Sequence, residues 1–92
     1  MMLEKDIERK VCEYAKAKGF LVYKFTSPNR MSVPDRLFIA PNGCVFLIEF
    51  KRTGEKPTAA QSREHTRLRE NNAIVYVVDN VHVGKFITDM HG

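Results

Sequence analysis

Asp35, Glu49 and Lys51 are the residues whose types and spacing could do chemistry together. The run from Cys44 to Lys51 is apolar through Val45, Phe46, Leu47 and Ile48, then carries Glu49 and Lys51. In a strand, side chains two apart share a face. Glu49 and Lys51 therefore point the same way, at one end of a strand that should be buried on both sides. Burying charge is unfavourable unless a partner or a metal compensates it. A strand end emerging into solvent is the simpler reading of these two residues alone. The preceding turn changes that. Pro41-Asn42-Gly43 is a turn signal, and with Ala40 opposite Cys44, Asp35 falls opposite Glu49. Cross-strand Cβ atoms lie about 4.5–5.5 Å apart, where like charges repel. A register different by one keeps the two acids adjacent or diagonal. Two carboxylates forced together beside a lysine call for a divalent cation, and hard oxygen donors with open positions suit Mg²⁺ or Mn²⁺ better than zinc.

The elements that must hold these groups are readable in order. Leu3, Ile7, Val11, Tyr14 and Ala15 form an apolar stripe at helical spacing, which predicts a helix from about Leu3 to Lys18, stopped by Gly19. Phe20 to Phe25 reads as a strand, and Thr26 to Pro34, with its two prolines, as a loop. Strands are expected over Asp35 to Ala40 and Cys44 to Lys51, followed by a polar loop over Arg52 to Pro57. Thr58 can N-cap a helix running to about Asn71. Its clear apolar residues are Ala59, Ala60 and Leu68, and His65 reads as a packed or surface histidine on the face of Gln61 and Leu68. Ala73 to Val78 is a further buried strand, and a last helix starting near Asn80 carries Val83, Phe86 and Ile87. The order αβββαβα, with a strand–helix–strand crossover, implies an α/β fold with a mixed central sheet flanked by helices.

Composition narrows the classes. The 92 residues are 43% hydrophobic and 28% charged, ordinary values for one globular domain, so residues 1–92 are read as a single domain. No apolar run is long enough to cross a membrane, and the charged first twenty residues leave no signal-peptide core. Cys12 and Cys44 have neither metal nor redox spacing and read as free thiols of a reducing cytoplasm. The three histidines are too scattered to suggest zinc. The net charge of +4 is unevenly spread: Phe20 to Arg69 holds nine basic and four acidic side chains, an excess of five. Positive charge thus gathers around the acidic pair, as phosphate binding requires. Lys24, Ser27, Arg30, Arg36, Arg52, Lys56, Arg63 and Arg67 are the candidate nucleic-acid contacts, although an ordinary solvated helix face would also explain the arginines of the second helix. No recognition helix or base-reading cluster is visible, so DNA shape is the expected target.

Val33-Pro34-Asp35 followed by Glu49-Phe50-Lys51 is similar to the PD-(D/E)xK nuclease signature. Together with Glu8, Lys24-Phe25-Thr26-Ser27-Pro28, Arg36 and Gln61, the chain resembles a minimal VRR-NUC (virus-type replication-repair nuclease) domain over nearly its whole length. It departs from that pattern at Ser32, where a glycine is expected, and at Phe50, where an aliphatic residue is common. The resemblance implies a restriction-endonuclease-like core. It implies that Asp35 and Glu49 hold Mg²⁺ or Mn²⁺ with the Phe50 backbone carbonyl, and that Lys51 orients water or offsets developing charge. Glu8, on the first helix, would add a carboxylate directly or through water, with Glu4 one turn earlier as its rival. Gln61 would support the site near the lysine. The implied activity is a metal-dependent, structure-selective DNA endonuclease in repair or recombination. The minimal format points to a Holliday junction resolvase acting on branched DNA as a homodimer, in a bacterial cytoplasm and a phage setting, with no small-molecule cofactor. The alternatives are a flap, splayed-arm or nonspecific nuclease, and a non-catalytic DNA-binding module.

Overall fold

The computed structural model describes every residue from Met1 to Gly92. Its elements are α1 (Glu4–Ala17), β1 (Leu21–Lys24), β2 (Arg36–Ile39), β3 (Val45–Phe50), α2 (Ala59–Glu70), β4 (Val75–Val78) and α3 (Val81–His91). The αβββαβα order is as expected, and each boundary moves by no more than two residues. The sheet runs β1-β2-β3-β4. The first three strands are antiparallel, and β4 lies parallel to β3 after the α2 crossover. The hairpin register is the one read from the turn: Arg36 pairs with Ile48, and Ala40 N–H donates to the Cys44 carbonyl at 2.8 Å.

Period-2 alternation sends the two faces of this sheet to different fates. Phe38, Phe46, Ile48, Phe50 and Val78 face α1 and α3 and join Ile7, Val11, Cys12, Ala15, Phe20 and Ile87 in one buried cluster. Phe38 and Phe46 stack with ring centroids 5.1 Å apart. Gly84 lets α3 close on α1, since a Cβ there would collide with the Val11 side chain. Gly19, at φ +89°, ends α1 in a Schellman motif: Phe20 N–H reaches the Ala15 carbonyl and Gly19 N–H the Lys16 carbonyl, both at 3.0 Å.

Two expectations about the helices are corrected. In α1, Leu3 is 55% exposed and Tyr14 is only half-buried, its hydroxyl donating to Asp89; Cys12 takes the inward place. Leu3 is the residue before the helix, so the stripe starts at Ile7. In α2 the fully buried residues are Glu64 and His65, while Ala59 and Ala60 are exposed and Leu68 is half-buried. This helix turns a polar side toward the sheet face that carries Glu49 and Lys51.

Candidate active site

Three elements converge on Glu49. The paired register ends at Arg36–Ile48; extended by one residue it sets Asp35, the residue before β2, across from Glu49. The next position outward sets Pro34 across from Phe50. Proline has no N–H, so it can neither complete the ladder nor donate to the Phe50 carbonyl. The Phe50 N–H is redirected and donates to Asp35 Oδ2 at 2.7 Å. Val-Pro-Asp thereby pins one acid and leaves the neighbouring carbonyl without its ladder donor. Phe25 N–H holds the Asp35 backbone carbonyl at 3.0 Å. Lys51 follows β3, anchored through its N–H to the Val78 carbonyl at 2.9 Å, and is 7% exposed. Glu49 is 3% exposed.

The second helix supplies the remaining contacts. Thr58 Oγ1 accepts from Gln61 N–H at 3.1 Å, and Gln61 Oε1 accepts from Thr58 N–H at 3.0 Å, a capping box. With its oxygen occupied by the cap, the Gln61 amide presents Nε2 to Glu49 Oε2 at 3.3 Å. One turn on, buried His65 places Nε2 3.4 Å from Glu49 Oε1. Both oxygens of Glu49 are therefore held from α2, which accounts for the polar side of that helix. Of the two sequence readings of His65, packed or surface, the packed one holds, and it packs against a site carboxylate. The stripe Gln61, Glu64, His65, Leu68 at helical spacing was the available signal.

The charges are under tension. Burial pushes the Glu49 carboxyl up to about 8, and the Asp35 charge beside it adds to the shift. Asp35 is also raised, by burial against the opposing pull of the Phe50 N–H, with Glu8 contributing repulsion. Glu4 is raised by burial and then by Asp35. Burial and the nearby Arg69 and Lys51 lower His65, which favours its neutral form. Without a cation the acidic pair retains a proton near neutral pH. This donor set fits a hard divalent ion: two opposed carboxylates, an adjoining free carbonyl and open positions. No group of three or more His, Cys, Asp or Glu side chains forms a ready-made cage. Glu8 is engaged elsewhere, accepting from Arg36 Nε at 2.6 Å.

The candidate nucleic-acid contacts divide. Lys24, Lys56 and Arg63 are exposed, and Ser27 is half-buried. Arg52 lies 3.6 Å from Glu55. Arg36 is turned to the α1 side by Glu8. Arg30 and Arg67 both reach the buried Glu64. The largest concavity, about 390 Å³ between Lys18, Phe20 and Pro41, contains none of the site groups.

No family model matches the chain. The whole fold nevertheless superposes on a solved VRR-NUC domain with a TM-score of 0.87, covering 97% of each chain at 31% identity. A curated relative, "Putative nuclease p44" of Acyrthosiphon pisum secondary endosymbiont phage 1, is 42% identical over 80 residues, 87% of this chain and 86% of its own length. The chain belongs to the VRR-NUC family. Its fold is the restriction-endonuclease-like one expected from the Val-Pro-Asp and Glu-Phe-Lys segments. Ser32 of this VRR-NUC chain has φ +67°, the left-handed region. That explains why glycine is expected there. No helix is long and apolar enough to cross a membrane.

Proposed function

We propose that this VRR-NUC protein is a Mg²⁺- or Mn²⁺-dependent, structure-selective DNA endonuclease, a Holliday junction resolvase that works as a homodimer in the cytoplasm of a bacterial host. The observation that carries the reading is the buried Glu49 with half-buried Asp35 and buried Lys51 beside it, on the sheet face under α2. Asp35, Glu49 and the Phe50 carbonyl would hold the ion. When bound, it supplies a lowered water pKa and a counter-charge to the scissile phosphate. Asp35 is fixed by the Phe50 N–H and Glu49 by Gln61 and His65, so both carboxylates are oriented before substrate arrives. Lys51 would place its ammonium against the phosphate oxygen that gains charge. Glu8, released from Arg36, or Glu4 would hold a water of the ion.

Junction selectivity rests on the surface. Lys24, Lys56 and Arg63 are exposed basic side chains, and they come without a base-reading element, which favours shape over sequence. Resolution needs two matched incisions, and a twofold dimer places two sites symmetrically. Leu21, Tyr23 and Val45 on the sheet, and Val83, Phe86 and Met90 on α3, are exposed apolar side chains from which such an interface could be built. The test is a labelled four-way junction incubated with Mg²⁺ or Mn²⁺, beside flap, splayed-arm and duplex DNA. Paired symmetric nicks by the wild type and none by Asp35→Ala are expected. Equal cutting by both proteins, or no cutting of any branched DNA, contradicts the reading. Preferred cutting of flaps moves it to a flap nuclease.

A further inference from the structure

Glu64 occupies an unusual position. It sits next to His65 on α2 and is buried, with its side chain 7% exposed. It does not join the metal-site cluster. Its Oε1 accepts from Arg30 Nε at 3.1 Å and lies 3.7 Å from Arg67 Nε. One carboxylate thus braces two arginines that come from elements 37 residues apart in sequence, the loop before Asp35 and the outer side of α2. In both cases the nearest atom is Nε, which leaves the terminal amino groups free for another acceptor. Arg63 completes a cleft of about 310 Å³ with Arg30, Met31, Ser32, Glu64 and Arg67. Three guanidinium groups against one carboxylate leave the cleft at +2, and it opens to solvent beside the helix whose other side holds Glu49.

We infer that this cleft is a backbone-phosphate subsite, separate from the metal site, and that Glu64 is its positioning residue. The inference rests on the nuclease reading and specifies how the substrate strand is held. Guanidinium groups are suited to phosphate because their planar fork matches two oxygens at once. Long arginine side chains pay entropy to be fixed, and a buried carboxylate that fixes them beforehand removes part of that penalty. The same brace ties the strained loop at Ser32, three residues before Asp35, to α2. A phosphate seated there would lie on the same rigid frame as the scissile one.

The sign of one substitution separates positioning from bulk charge. Glu64→Gln adds one positive charge, so simple electrostatics predicts tighter DNA binding and a steeper salt dependence. Positioning predicts the opposite. The probe is a fluorescein-labelled four-way DNA junction, titrated by anisotropy with chains carrying Asp35→Asn to prevent cutting, over about 50–200 mM salt. Arg67→Ala should weaken binding and make the slope of log Kd against log salt shallower by about one. Glu64→Gln should weaken binding about tenfold. Glu70→Gln, an exposed change of the same charge on the same helix, should leave binding unchanged or tighter. Arg30→Lys keeps charge but loses the fork, and should also weaken binding, which tests the cleft even if Glu64→Gln fails to fold. If Glu64→Gln binds as tightly as Glu70→Gln, or Arg30→Lys binds like the parent, the subsite is overturned while the nuclease reading stands. If the parent binds no DNA at all, both fall.

Discussion

Glu49 and Phe50 are neighbours on β3 and are about equally buried, at 3% and 0% exposure, yet they face opposite worlds. Phe50 points into an apolar cluster closed by α1 and α3. Glu49 points to the face under α2, among Asp35, Gln61, His65 and Lys51. The first face contributes stability through burial of apolar surface. The second works against it, since its carboxyls are raised and hold a proton that they would shed in water. One sheet therefore separates the two tasks by the alternation of a single strand. The strained, polar face is affordable because the other is well packed.

That contrast can be broken by substitution. The largest effect should come from the polar face: Asp35→Asn or Lys51→Ala is expected to lower DNA cleavage by about a thousandfold. The thermal midpoint of metal-free Asp35→Asn should hold or rise, because one of two repelling carboxylates is gone. A fall in the midpoint with cleavage retained would reverse the roles assigned to the two faces. On the apolar face, Phe38→Ala should reduce unfolding free energy by about 3–5 kcal/mol, measured by denaturant titration. A loss below about 1 kcal/mol would mean the cluster is not the main support.

The pH dependence follows from the same division. A carboxyl with a raised folded-state pKa binds more protons folded than unfolded, so stability falls as pH rises from its ordinary value near 4.5 toward about 8. His65, which is lowered, gives the opposite slope below its ordinary 6.5. Above that the raised carboxyls dominate, Glu49 foremost. The metal-free midpoint should therefore decline between pH 6.5 and 8 and flatten in Glu49→Gln. A wild-type midpoint that rises over this window would contradict the proton held by the pair. The smallest effect is expected at the junction of cap and site. Gln61→Ala removes half of the capping box and one support of Glu49, and should cost about 0.5–2 kcal/mol of stability. Cleavage should drop more than that loss alone explains.

Much of this was legible along the chain because it depended on local rules. Turn residues at 41–43 set the hairpin register, and the register alone brought Asp35 across from Glu49. Thr58 announced α2, and Gly19 ended α1. What stayed hidden depended on tertiary partners. Nothing near Glu8 in sequence shows that Arg36, 28 residues away, will engage it. Nothing near Glu64 or His65 marks them as the buried residues of a helix that also contains Ala59 and Ala60. Hydrophobic periodicity looks for apolar stripes, and here the inward stripe is polar because it faces a site and not a core. Leu3 departs from the expected stripe for a simpler reason: it lies before the helix, where the periodic face does not yet exist.

The central claim is that Asp35 and Glu49 share a site built for a divalent cation and kept partly protonated without it. Calorimetric titration of the metal-free protein with Mn²⁺ at neutral pH, in two buffers of different ionisation enthalpy, tests this most directly. The expected result is saturable binding at one site per chain with about one proton released per ion, lost in Asp35→Asn. Absence of saturable binding, or binding unchanged in Asp35→Asn, would contradict it.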